Sequence, residues 1–79
     1  MTQTQFDRIT SEPGKCGGKP CIRGMRITVR RVLEIMAGMR DWNLILQEYP
    51  YLEEEDLRQA LEYAAASVDK EVRYLNDPA

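Results

Sequence analysis

Between Met25 and Val29 the chain alternates, with Ile27 and Val29 on one side and Arg26 and Thr28 on the other. A period of two marks a half-buried strand. Upstream, "FDRIT" is a short apolar and β-branched segment, and "SEPGKCGGKP" after it is dense in Gly and Pro, which is loop chemistry. Together these segments predict a hairpin within residues 6–29. A lone hairpin is unstable in water, so it must pack on something or pair across a dimer.

After Thr28 the period lengthens. Val29, Val32, Leu33 and Met36 recur at helical spacing, with Thr28 as the expected N-cap and Gly38 as the stop. Asp41 caps a second short helix, in which Trp42, Ile45, Leu46 and Tyr49 repeat the spacing until Pro50 ends it. A third helix is expected from near Glu53. The run "EEED" fills its first turn, favourably for the helix dipole, and Leu52 is placed to staple onto Leu57. Its apolar stripe continues through Leu57, Leu61, Ala64, Val68, Val72 and Leu75, with Asp69 and Arg73 as a supporting pair four residues apart. The expected fold is mainly α, a short N-terminal β-hairpin followed by a three-helix bundle. The short link between helices two and three is compatible with a helix-turn-helix, as it is with any compact bundle. Residues 1–79 read as one domain: hairpin 6–29, tri-helical core 29–66, and a helical extension 67–79.

Length changes the picture, because a 79-residue chain has a marginal core of its own. Small folds usually need a staple, a metal or a partner, and here a homodimer is expected. No apolar run approaches the ~20 residues of a membrane helix, and "MTQTQFDRIT" has no signal-peptide pattern. A cytoplasmic protein without membrane contact is expected, in which cysteines stay as thiols.

The net charge of −2 conceals a division. Residues 1–31 hold seven bases (Arg8, Lys15, Lys19, Arg23, Arg26, Arg30, Arg31) against Asp7 and Glu12, a net +5. The remaining residues hold four bases against eleven acids, a net −7. Such asymmetry suggests two surfaces with different partners, or simply an uneven solvated surface.

Cys16 and Cys21 admit three readings. A zinc site would need two more ligands, and with no His in the chain it would have to straddle a dimer axis. A redox pair normally has the C-x-x-C spacing, which is absent. The remaining reading is two small buried hydrophobes. Gly17 and Gly18 suit positive φ better than a phosphate cradle, because Pro20 and a strand follow rather than a helix N-terminus. Gly24 is another position where the backbone itself is expected to require glycine. With no nucleophile–base pair to name, no enzymatic activity and no cofactor are expected.

The run "RITSEPGKCGGKPCIRGMRITVRRVLEIMAGM", followed by "ILQEYPYLEEEDLRQALEYAA", closely resembles the domain of unknown function 433 family over about residues 8–66. Many members of that family are regarded as VapB-like antitoxins. The resemblance implies a homeodomain-like helix-turn-helix after a β element. It also implies an antitoxin of a type II toxin–antitoxin system that binds and neutralises a PIN-like ribonuclease toxin and binds operator DNA. Two positions depart from the pattern: Glu53 stands where an N-capping Thr or Ser is usual, and Met25 where Thr is usual. From Ser67 onward the tail lies outside the shared pattern.

Lys19, Arg23, Arg26, Arg30 and Arg31 form the candidate DNA-phosphate surface, with binding expected to depend on salt. Pairing with the acidic half, or with an acidic partner, is the alternative. In a helix-turn-helix the start of the second helix enters the major groove, but here that end reads Glu53, Glu54, Glu55, Asp56. Four carboxylates repel a polyanion, which leaves Arg58 and Gln59 as candidate base readers in an unfavourable setting. The hairpin and the start of helix one are therefore the expected phosphate contacts. The acidic turn reads as a solvated helix start, a face for a basic toxin or, least simply, a Mg²⁺ site. Val68, Val72, Arg73 and Leu75 are the candidate toxin-binding residues, against the alternative of a helix packed on its own core.

Overall fold

The computed structural model describes the backbone of residues 6–75 and the side chains of residues 6–68. Two short strands, β1 (Ile9–Thr10) and β2 (Cys21–Ile22), pair antiparallel, with Ile9 opposite Ile22 and Thr10 opposite Cys21. Three helices follow: α1 (Val29–Gly38), α2 (Trp42–Glu48) and α3 (Glu54–Leu75). The hairpin and the three helices are those expected from the periodicities, but the second strand lies elsewhere. Residues 26–29 form no strand: they contribute a bridge from Thr28 to Cys21, the Ile27 carbonyl that accepts from the Ile22 N–H at 3.0 Å, and the Val29 N–H donated to the Pro20 carbonyl at 2.9 Å. The reason is local, because Val29 is already the first residue of α1.

Between β2 and that bridge the chain reverses in a tight turn, in which the Met25 N–H donates to the Ile22 carbonyl at 2.8 Å. Both central residues, Arg23 (φ 47°) and Gly24 (φ 72°), have positive φ, as a type I′ hairpin turn requires. Gly24 meets this without strain, and Arg23 is held there by other contacts described below. The β1–β2 loop contains a short left-handed turn at Cys16–Gly18, where Cys16, Gly17 and Gly18 all have positive φ.

The helix boundaries follow their caps. Thr28 Oγ1 accepts from the Arg31 N–H (3.0 Å), and Asp41 Oδ1 accepts from the Asn43 N–H (2.9 Å). At α3 the acid is used from the other side: the Glu53 N–H donates to Asp56 Oδ2 at 2.8 Å, the reciprocal half of a capping box. The Glu53 departure from the family pattern is thus offset by the carboxylate three residues on.

Ile22, Val29, Val32, Ile35, Ile45, Leu52, Leu57 and Ala60 form one buried cluster, with α1 packed chiefly on α3. Leu52 and Leu57 are both in it, as a staple across the α3 N-terminus requires. The N-terminal segment is fastened to α3 as well, by an edge-to-face contact of the Phe6 and Tyr63 rings at 5.5 Å. No helix among the described residues is long and apolar enough to cross a membrane.

Candidate functional site

The acidic first turn of α3 divides into two populations. Glu53 and Glu54 are exposed, whereas Asp56 is fully buried. A buried carboxylate needs charged partners, and this one has two. Arg23 grips it with two prongs, Nε to Oδ1 (3.0 Å) and Nη2 to Oδ2 (2.8 Å), while Arg8 Nη1 reaches Oδ1 at 3.1 Å and Glu53 Oε1 at 2.6 Å. Arg23 Nη2 also donates to the Tyr51 carbonyl at 2.7 Å. Burial alone would raise the Asp56 pKa. The hydrogen bonds from Arg23, the Glu53 N–H and Arg8 overcome it and hold the carboxyl below its usual range. The arginines respond in kind: hydrogen bonds to Glu53 and Asp56 raise Arg8, and the bond to Asp56 raises Arg23.

Gln59, one turn later, is also buried. Its amide donates to Asp7 Oδ1 (2.8 Å) and Glu55 Oε2 (2.9 Å), and its carbonyl accepts from the Arg8 N–H (3.0 Å). Arg58 is enclosed by acids of its own helix, bonding Glu55 and, at 2.6 Å, Glu62. These contacts raise Arg58, with the Glu55 bond largest, and hold Glu55 down to about 2, chiefly through Arg58 and then Gln59. Of the candidate DNA contacts, Arg23 and Gln59 therefore direct their polar groups into the fold, whereas Arg58 stays on the surface, paired with Glu55 and Glu62 of its own helix. The face of α3 that a helix-turn-helix would present carries the clamp that fastens the N-terminal segment. Sequence reasoning gave Asp56 no role beyond the acidic turn and passed over Arg8. The spacing of Glu53 and Asp56, that of a capping box, was the available signal.

The other four cations differ. Lys19 and Arg26 are exposed and carry no ion pair or side-chain hydrogen bond among the described residues. Arg30 and Arg31 share one exposed acid, Glu34, at 3.2 and 3.6 Å, with 82% and 57% of their side chains exposed. Exposed pairs of this kind hold a side chain weakly. The fold brings these residues together: the Val29 N–H donates to the Pro20 carbonyl at 2.9 Å, so the residue after Lys19 touches the residue before Arg30. The result is a basic edge made by the loop and the first turn of α1.

Beside that edge lies an apolar groove of about 740 Å³ between the start of α1 and the middle of α3. Val29, Leu33, Tyr63, Ala64 and Val68 form much of its lining, with Pro20, Arg30 and Ser67 also present. Val68 lines this groove and is 49% exposed. Val72, Arg73, Leu75 and the expected Asp69–Arg73 pair lie outside the described side chains.

Cys16 and Cys21 are free thiols, half-buried and buried. Cys21 Sγ donates to the Lys19 carbonyl at 3.4 Å, and burial, followed by the neighbouring Cys16, pushes its pKa up. That is the environment of a structural thiol rather than a nucleophile. No group of three or more His, Cys, Asp or Glu residues among the described ones is placed to hold a metal ion.

The family model described as "Protein of unknown function (DUF433)" matches residues 9–64, from β1 to the middle of α3. The chain belongs to the DUF433 family. A crystal structure of a DUF433 member from Anabaena variabilis superposes with a TM-score of 0.69 at 31% identity, covering 85% of this chain. This chain spans 66% of that protein's length. No curated protein matches. The DUF433 match includes Arg23 and Asp56 of the clamp and the basic edge; it begins just after Arg8 and stops before Val68.

Proposed function

We propose that this DUF433 protein is a binding protein rather than an enzyme: the antitoxin of a type II toxin–antitoxin system. In this reading it neutralises a PIN-like ribonuclease through the distal part of α3 and contacts operator DNA through Lys19, Arg26, Arg30 and Arg31. The observation that carries it is the reach of α3. Among the described side chains, which reach Val68, the last buried residue of that helix is Ala60, and the helix continues to Leu75. A helix extended beyond its own core, with Val68 outward, has the form of a segment that lies in a partner's groove. The basic edge supports the second half, since exposed cations with weak or no internal pairing are the ones free to displace counterions from phosphates.

The test is co-expression with the product of the adjacent gene. Rescue of growth from a toxic neighbour supports the reading, and failure to bind or neutralise it removes the antitoxin role. A DNA-binding regulator without a toxin is the second reading, favoured by the exposure of Lys19 and Arg26. A salt-dependent mobility shift with upstream DNA, and no effect on the neighbour, would select it. A dimeric module with no nucleic-acid contact would show neither.

A further inference from the structure

We infer that Cys16 and Cys21 form an oxidation site, in which a hydroperoxide oxidises Cys16 and Cys21 closes the product to an intramolecular disulfide. Four residues separate the two cysteines, more than in the usual redox pair, but the fold closes the gap. Cys16, Gly17 and Gly18 turn left-handed in succession, at φ 52°, 67° and 81°. The other described non-glycine residue with positive φ, Arg23, is held there by Asp56, whereas the Cys16 side chain faces Cys21. Two contacts fold the turn over Cys21. The Lys19 N–H donates to the Cys16 carbonyl at 3.2 Å, and Cys21 Sγ donates to the Lys19 carbonyl at 3.4 Å. The Cys21 thiol is thus aimed back under the turn that carries Cys16, and the two thiols lie within hydrogen-bonding reach of each other. Exposure divides their roles. Cys16 is half-buried and open to a small oxidant, while Cys21 is 1% exposed and shielded from it. A shielded neighbour suits a resolving thiol, which reacts only with a sulfur already oxidised.

With hydrogen peroxide the Cys16 sulfur attacks the O–O bond, which breaks, leaving a sulfenic acid and one water. Cys21 Sγ then attacks the Cys16 sulfur. The S–S bond forms as the S–O bond breaks, and the departing hydroxide takes the Cys21 proton to become a second water. Two thiols are oxidised and one peroxide is reduced to two waters. Cys21 belongs to β2, opposite Thr10 and bridged to Thr28, so the disulfide ties the loop to the sheet and to the start of α1. The tied loop carries Lys19 and Pro20, whose carbonyl accepts the first N–H of α1. Oxidation therefore acts on one end of the basic edge.

This inference needs neither toxin nor DNA, and it stands or falls separately from the antitoxin reading. It is tested on the full chain by intact-mass spectrometry after graded hydrogen peroxide, with remaining thiols alkylated. The wild type is expected to lose about 2 Da, to form no covalent link between chains, and to regain both thiols in dithiothreitol. Cys16→Ser should keep its Cys21 thiol at doses that oxidise the wild type. Cys21→Ala, checked for folding by circular dichroism, should instead hold a dimedone-reactive sulfenic acid at Cys16, about 16 Da heavier. Hydrogen exchange at the Gly18 and Lys19 amides should slow at least about fivefold in the oxidised wild type. A wild type that gains about 32 Da as a sulfinic acid without forming the disulfide, or that cross-links between chains instead, would overturn the inference. So would a Cys21 thiol that oxidises equally fast in Cys16→Ser, or exchange at those two amides unmoved by oxidation. The wild type and Cys16→Ser decide the matter even where Cys21→Ala does not fold.

Discussion

Arg23 and Asp56, 33 residues apart in sequence, meet in a two-pronged ion pair with contacts of 3.0 and 2.8 Å. The pair joins the hairpin turn to the first turn of α3. It explains why Arg23 is held at positive φ, and Arg8 completes it from the other side. Removing the carboxylate leaves two arginines facing a buried site. Asp56→Ala is expected to cost about 3–5 kcal/mol, a large share of the stability of so small a domain. Arg23→Met should cost less, about 1.5–3 kcal/mol, because Arg8 still neutralises Asp56. Urea denaturation of the two variants checks the order, and equal stability of Asp56→Ala and wild type would remove the clamp from the account.

The clamp also sets an acid limit. Asp56 has a lower pKa folded than its ordinary 3.8, so the unfolded chain takes up the proton first as pH falls. The stability it contributes is complete above the ordinary carboxylate range and is lost as pH drops through the folded pKa. Glu55, at about 2, acts in the same direction but is a surface group and adds little. Unfolding free energy measured by urea is therefore expected to be level near neutrality and to fall below about pH 4. The fall should be shallower in Asp56→Asn, and an identical profile in that variant would contradict the assignment.

The type I′ turn gives a backbone prediction. A Cβ added at Gly24 meets nothing closer than Glu12 Oε2 at 3.7 Å, so space is not the constraint. The φ of 72° is. Gly24→Val should destabilise by about 1–3 kcal/mol through strain alone. A thermal melt unchanged by this substitution would mean the turn is not held in this form.

On the DNA side the two groups of cations separate. Replacing Arg26, Arg30 and Arg31 together by Ala should leave the fold intact and reduce the salt slope of binding to upstream DNA by about 3. Gln59→Ala should instead lower stability, because its amide joins Asp7, Glu55 and the Arg8 N–H. Anisotropy titrations across a salt series, paired with melts, distinguish the two outcomes. An unchanged slope in the triple variant would take phosphate contact away from the basic edge.

Much of the fold was legible in the chain because its signals are local. Thr28 and Asp41 cap the helices they precede, Pro50 follows the second helix closely, and the apolar stripes of α1 and α2 point inward at Val29, Val32 and Ile45; Ile35, also buried, was not among the residues of that stripe. The strand was misplaced because alternation at Arg26–Val29 persists up to a residue that a helix claims. The site was less legible for a different reason. Whether an arginine is free or clamped depends on a partner far off in sequence: Arg23 finds Asp56 across 33 residues, while Arg26, three residues later, finds none among those described. Composition gave both the same charge, and only packing separates them.

The central claim is that α3 beyond the core is the partner-facing part of the molecule. Every buried apolar residue among the described side chains lies at or before Ala60, so a chain ending at residue 66 retains all of them. Growth rescue on co-expression with the adjacent gene's product, compared between the full chain and residues 1–66, tests this most directly. The account predicts that the shortened chain keeps a helical circular dichroism spectrum, weaker by the turns of α3 removed, and melts cooperatively, yet no longer rescues. Rescue by the shortened chain equal to that of the full one would contradict it.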